Sequence, residues 1–314
     1  MRDISFVIPC YGSEKTISTV VNELQDVMKK DGRYSYEIIL INDNSPDNVW
    51  KIIKQLAYTF DDIKGISLAR NFGQHAALMA GYRNSSGNIV VSLDDDGQTP
   101  AKEVFLLIDK INEGYDVVYA KYPEIKQSPF RVWGSWVNEK MSEILLGKPK
   151  ELKCTSYYAM KRFVVDEMLR YQNAYPYVGG LVLRSTKNIA NVSVQHQTRL
   201  EGKSGYSLSK LLGLWFNGFT SFSVKPLRIA TVVGIVCALG GFIYGMIMIF
   251  RKLLGFTVVL GYSSLMTVLL FLGGMIMILL GAIGEYIGRI YISLNNAPQY
   301  VIREMVEKSN GTTT

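Results

Sequence analysis

The sequence predicts an α/β protein: a mostly parallel sheet with helices on both faces, followed by amphipathic interface segments and a two-helix transmembrane hairpin. Three observations carry this. Strand-like and helix-like runs alternate regularly from Ile4 to Ala120. Polar clusters follow the carboxyl ends of the apolar strands, where ligands gather in such sheets. Finally, two long stretches near the C-terminus, Ile229–Phe250 and Ser264–Gly284, contain no charged residue, and each is about the length that crosses a bilayer.

The elements follow in order. Ile4–Ile8 reads as a buried strand, and Thr16–Lys30 as the helix after it. Glu37–Ile41 is the second strand, followed by a helix from Pro46 with Asp43 or Ser45 near its start. Ile63–Leu68 precedes a helix over His75–Arg83; Ile89–Leu93 precedes a helix that begins about Pro100; Asp116–Ala120 is a fifth strand. Short β-branched runs alternating with helical periodicity imply β–α–β units. Beyond Ser128 the period changes. Phe130, Trp133, Val137, Met141, Ile144 and Leu145 follow helical spacing, as do Leu208, Leu211, Leu212, Trp215, Phe216 and Phe219. An aromatic-rich amphipathic helix ahead of a span suits a membrane interface.

These boundaries divide the chain into a globular part at 1–203, interface helices at 204–227, a hairpin at 228–284 with spans near 229–250 and 264–284, and a tail at 285–314. The hydrophobic share is 48% and the net charge +7. The basic excess suits a surface facing anionic lipid. Lys210, Lys225 and Arg228 before the first span, with Arg289 and Arg303 after the second, outnumber Arg251 and Lys252 between them. That bias places the globular part in the cytoplasm, on the cytoplasmic membrane. Met1-Arg2-Asp3 runs straight into the first strand, so no cleavable leader is expected. Cys10, Cys154 and Cys237 lack metal-ligand spacing and fit a reducing compartment. Neither GxxxxGK[ST] nor a GxGxxG after the first strand is present, which argues against P-loop ATPases and dinucleotide oxidoreductases.

The strongest chemical signal is Asp94-Asp95-Asp96-Gly97-Gln98 at the end of the fourth strand. Adjacent carboxylates repel, and a cation or water must neutralise them. Carboxylates followed by an amide oxygen make a hard-oxygen pocket suited to Mg²⁺ or Mn²⁺ carrying phosphate ligands. Two further clusters, Pro9–Glu14 and Asn42–Ser45, end strands on the same side.

These residues resemble the family 2 glycosyltransferases of GT-A fold, and more narrowly the polyprenyl-phosphate glycosyltransferases. The resemblance runs through Val7–Tyr11, Ile41–Asp43, Arg70–Gln74, Asp94–Gln98, Arg199–Ser207, Lys225–Arg228 and Gly284–Tyr291. It implies a Rossmann-like GT-A domain and a metal-dependent, inverting enzyme. That enzyme would pass one sugar from a nucleotide diphosphate donor, uridine by family majority, to a polyprenyl phosphate such as undecaprenyl phosphate. By position, the resemblance assigns Pro9, Tyr11, Glu14 and Asp43 to the nucleotide, Asp94 to the donor side, and Asp96 and Gln98 to the metal. Arg199 and Ser204 fall in its phosphate-contacting loop, with Arg131 and Lys203 as further phosphate or acceptor cations; Asp94, Asp96 and Arg199 form the implied catalytic set.

The chain departs from the family where a Gly-Asp-Phe-Arg-like segment reads Cys154-Thr155-Ser156-Tyr157-Tyr158, and where Gly205 replaces a lysine. A phosphate acceptor needs no strong base, because its second pKa is about 6. Transfer to a lipid or protein hydroxyl would need one, and a non-catalytic nucleotide-sugar scaffold would not need the intact Asp94, Asp96 and Gln98. No QxxRW element of processive synthases is present, and no nucleic-acid partner is expected. His75 follows a glycine turn from which it could approach the donor, but it reads more readily as a capping or packing residue, and His196 reads as structural. Gly241 with Gly245, Gly284 with Gly288, and the heptad-spaced Gly274, Gly281 and Gly288 form small-residue faces that suit helix pairing, within the hairpin or between subunits of a homo-oligomer.

Overall fold

The computed structural model describes residues 2–123, 139–195 except 141, 145 and 146, scattered positions between 232 and 254, and 261–308 except 295 and 296. The chain forms two compact units, 1–214 with 296–314, and 215–295.

The first unit is built on an eight-stranded sheet ordered β7-β5-β6-β4-β1-β2-β3-β8. Its strands are β1 (Ile4–Cys10), β2 (Tyr36–Asn42), β3 (Ile63–Leu68), β4 (Ile89–Ser92), β5 (Val117–Lys121), β6 (Tyr158–Lys161), β7 (Ile189–Ser193) and β8 (Ile302–Glu307). The helices are α1 (Ile17–Asp31), α2 (Val49–Thr59), α3 (Gln74–Arg83), α4 (Val104–Asn112), α5 (Arg162–Leu169) and α6 (Val178–Ser185). The five strands read from sequence are present. Strands β1–β4 pair in parallel, as do β5 and β7, whereas β6 runs antiparallel to both β4 and β5.

Strand periodicity sorts the core. Phe6, Ile8, Ile38 and Leu40 join α1, α2 and α4 in one buried cluster. The alternate residues Val7 and Ile41 face the other way. There α3 lies so close that a Cβ on Gly81 would come within 2.4 Å of Val7 Cγ1 and 2.8 Å of Ile41 Cδ1. Glycine at 81 thus sets how near α3, and the residues at its start, approach the strand ends.

Two differences from the sequence reading have local causes. Helix α2 starts at Val49 rather than Pro46, because the residues before it are tied to the β1–α1 loop: Glu14 accepts the Asn48 N–H and Asp47 accepts the Glu14 and Val49 N–H groups. The segment read as a tail beyond 285 is also not one. It continues a helix and then returns to the sheet as β8, antiparallel to β3. Val306 is buried against the core, Trp50 Nε1 donates to Glu304, and Ala69 N–H donates to Val301. Strand β8 thereby covers what would be an open sheet edge; a six-residue strand of mixed charge carries too weak a pattern to be read in isolation.

In the second unit, the positions described from 232 to 253 are helical. Helix α7 spans Tyr262–Leu294, 33 residues, longer than the span expected over 264–284. No proline interrupts it before Pro298. Within it Phe271–Gly288 has a mean hydropathy of 1.7 and no buried share, so among the described residues one helix is long and apolar enough to cross a membrane. A Cβ on Gly234 would touch Leu279 of α7 at 4.0 Å, whereas on Gly274, Gly281 or Gly288 it would meet nothing within 4 Å. Arg131, Arg199, Lys203, Ser204, Gly241, Gly245, Cys237, His196 and the two amphipathic segments, apart from a few residues near 139–144, lie outside the described residues.

Candidate active site

Strand β1 has β2 and β3 on one side and β4 on the other, so the chain reverses direction across the sheet between β1 and β4. Crevices at such a switch point, beyond the carboxyl ends, are where open α/β sheets bind ligands. The three polar clusters meet there.

The β1–α1 and β2–α2 loops are locked together. Gly12 N–H donates to Ser45 Oγ at 2.8 Å, and Ser45 Oγ donates to Asp47 Oδ1 at 2.6 Å. The Glu14 carboxylate accepts both the backbone N–H of Asn48, at 3.1 Å, and its side-chain amide, at 3.2 Å. Tyr11, in the loop after β1, is 55% exposed. Pro9 sits within β1, paired in register with Ile41.

Asp43 is turned inward. It is only 4% exposed, and its two oxygens accept the N–H groups of Phe72 and Gly73 at 2.7 and 2.8 Å. Gly73 holds φ at +89°, a conformation that glycine adopts without strain, while opening α3. Burial pushes the Asp43 carboxyl up and the two amides pull it down, with a net rise. What the geometry gives Asp43 is a grip on the Arg70–Gly73 loop.

The three consecutive aspartates diverge. Asp94 accepts Gln74 Nε2 at 3.2 Å on one oxygen and the Ser156 hydroxyl on the other. Asp95 points back to the first loop: its carboxylate accepts Tyr11 N–H at 2.9 Å and its carbonyl accepts Thr16 Oγ1 at 2.6 Å. Burial pushes the Asp95 carboxyl up to about 6. Asp96 Oδ1 accepts the Gln98 N–H at 3.1 Å, which folds the two candidate metal ligands into one turn. Among the described residues no three His, Cys, Asp or Glu side chains cluster as a self-sufficient metal site. The donor set is therefore open: a half-buried carboxylate and a neighbouring amide, both hard oxygens. That fits Mg²⁺ or Mn²⁺, which is commonly bound by one or two carboxylates together with substrate phosphates.

Beside Asp94 lies a cavity of about 220 Å³, bounded by Pro9, Gln74, Asp94 and Ser156. It is smaller than the roughly 300–1,000 Å³ typical of pockets for drug-sized ligands. Two residues of the site, Asp95 behind the first loop and Ser156 at the cavity, were not legible as site residues. Asp95 reads in sequence as part of an acidic run, yet it fastens two loops. Ser156 comes from the lead-in to β6, whose only signal is the unusual Cys154–Tyr158 stretch.

The model of the Glycosyl transferase family 2 domain matches residues 5–169, which hold all of these groups. The chain belongs to glycosyl transferase family 2. It is a glycosyltransferase with a GT-A-like sheet. A second model, the GtrB C-terminal hairpin, matches residues 225–290. An uncharacterized glycosyltransferase of Bacillus subtilis is 33% identical over 96% of this chain and 93% of its own length. The undecaprenyl-phosphate 4-deoxy-4-formamido-L-arabinose transferase of Proteus mirabilis is 32% identical over 98% of this chain and 94% of its own. Among solved structures, glucosyl-3-phosphoglycerate synthase from Mycobacterium tuberculosis, in complex with Mn²⁺ and UDP-glucose, shares the fold: TM-score 0.51, 20% identity, 74% of this chain and 78% of the other covered.

Proposed function

We propose that this glycosyltransferase moves one sugar from a nucleotide diphosphate donor, with uridine as its base, to the phosphate of a polyprenyl lipid, undecaprenyl phosphate foremost, at the cytoplasmic face of the membrane. One observation carries the reading: the Asp94–Gln98 turn and a sugar-sized cavity share the switch-point crevice of a chain whose C-terminal part matches a hairpin family. The names of full-length relatives support the lipid acceptor.

In this reading the nucleotide lies along the loops of Pro9–Glu14 and Asp43, with the exposed Tyr11 ring beside the base. The sugar fills the cavity next to Asp94. Gln74 and Ser156 hold Asp94 from both sides, so its charge stays at the cavity wall. Asp96 and Gln98 would hold Mg²⁺ or Mn²⁺, which when bound supplies charge neutralisation for the departing diphosphate. The acceptor phosphate is largely ionised near neutrality. It attacks the anomeric carbon from the face opposite the diphosphate and inverts it. This chemistry accommodates a Cys154–Tyr158 segment that lacks the acid the family resemblance implies there. Arg131, Arg199, Lys203 and Ser204 would gather the phosphates by charge-assisted hydrogen bonds.

The test is a transfer assay with full-length protein in mild detergent, undecaprenyl phosphate, and a panel of nucleotide sugars. Asp96→Asn should lower transfer at least a hundredfold with an unchanged melting curve. Wild-type activity that persists in excess chelator would refute the metal site.

A further inference from the structure

Two residues that line the cavity carry a polar side-chain atom that the chain itself leaves unpaired. His75, from the first turn of α3, and Tyr119, from β5, both line it. The Nδ1 of His75 and the hydroxyl of Tyr119 are buried, and neither has a hydrogen-bond partner. A buried group left in that state costs about 1–3 kcal/mol, so each asks for an explanation.

The neighbouring polar groups are engaged. Gln74 and Ser156 donate to Asp94, the Tyr158 hydroxyl is bonded to that of Tyr82 at 2.6 Å, and the Thr155 hydroxyl lies against the carbonyls of Ala120 and Tyr157 at 2.9 and 3.0 Å. Both unpaired residues are also held in place. The His75 ring meets Tyr177 edge-on with centroids 5.2 Å apart, and Tyr119 is 2% exposed with its ring 5.0 Å from that of Tyr158. Burial pushes the His75 imidazole down to about 4, so it is neutral at pH 7, with one nitrogen donating and the other accepting. The Tyr119 hydroxyl can do either.

Resting on the reading of this cavity as the seat of the donor sugar, we propose that His75 and Tyr119 are its specificity-determining pair, selecting a sugar that brings a hydroxyl or amide N–H to their side of the cavity. A sugar with that substituent gives both groups a partner. One without it leaves them unpaired, and sites of this kind reject such analogues strongly. Neither residue touches the reacting bond in this scheme; they set which sugar is accepted, not how fast the bond breaks.

The experiment measures the affinities of the full-length protein for UDP and for six UDP-sugars (glucose, galactose, N-acetylglucosamine, glucuronic acid, xylose and arabinose). Wild type should spread the sugars over at least tenfold in affinity. Tyr119→Phe and His75→Leu should each shrink that spread at least threefold, while the affinity for UDP, which has no sugar to place, changes less than threefold. His75→Asn, which keeps a polar atom at the δ position, should retain most of the discrimination. An unchanged spread in folded Tyr119→Phe and His75→Leu would overturn the pair and leave these atoms as seats for buried water. An equal loss of UDP and UDP-sugar affinity would assign them to nucleotide binding or folding, which also overturns it. A wild type that binds UDP but does not discriminate refutes the pair alone, whereas one that binds no uridine nucleotide refutes the donor reading beneath it.

Discussion

Replacing Asp43 by alanine separates two roles that the same position could play. The sequence alone suggests a carboxylate that reads the nucleobase. The structure shows both its oxygens accepting backbone N–H groups, at 2.7 Å from Phe72 and 2.8 Å from Gly73. A hydrogen bond to a charged group contributes about 1.5–3 kcal/mol. Two on one buried carboxylate are not additive, and burial offsets part of their benefit. Asp43→Ala should therefore cost about 2–4 kcal/mol. For a domain of this size about 1 kcal/mol shifts the midpoint by roughly 2–4 °C, so the apparent melting midpoint should fall by at least about 4 °C. The assay is thermal unfolding of full-length protein in detergent, followed by circular dichroism at fixed scan rate, with UDP titrated into the folded protein. Asp43→Asn keeps one acceptor but turns an amide N–H toward a backbone donor, and should fall between the two. Because Gly73 opens α3 and Gln74 holds Asp94, the loosened loop should also weaken UDP-sugar binding. A variant that melts like wild type yet no longer binds UDP would refute this reasoning and restore direct contact with the base.

Other outcomes follow from the same geometry. His75, with its folded pKa pushed by burial from 6.5 to about 4, stays neutral through the physiological range. Its neighbours across the cavity are Gln74, Asp94, Tyr119, Cys154, Tyr158 and Tyr177. Sugar discrimination should accordingly be flat from pH 8 to 5, and a titration midpoint near 6.5 would contradict the buried neutral ring. The unfolded imidazole charges first as pH falls, so this residue subtracts stability between pH 6.5 and 4; the acid-side drop in melting midpoint should be smaller in His75→Asn. Deleting residues 297–314 removes β8 and uncovers the β3 edge, and should yield aggregated protein by size exclusion. A monodisperse, active truncation would count against β8 as part of the catalytic fold. Gly81→Ala should lower stability by about 1–3 kcal/mol through overpacking, read as a fall in the melting midpoint with UDP binding retained below it.

What the sequence determined by itself was whatever rests on local pattern. Mainly apolar runs such as Ile4–Ile8 and Ile38–Ile41 fall within β1 and β2, because strands buried on both faces read as near-continuous hydrophobic runs. The Asp94–Gln98 turn was legible because its donors lie within one short stretch of chain. Long-range pairing decided the rest. Asp95 and Asp96 are neighbours in sequence, yet one fastens the β1–α1 loop and the other folds back on Gln98; strand and turn geometry separate them. Ser156 reaches Asp94 across 62 positions of sequence because β6 docks antiparallel on β4. Strand β8 joins the sheet only because β3 offers an unpaired edge. The unpaired state of His75 and Tyr119 is likewise a tertiary fact: a histidine at a helix start and a tyrosine in a strand look ordinary until the fold buries both at one cavity and gives neither a partner.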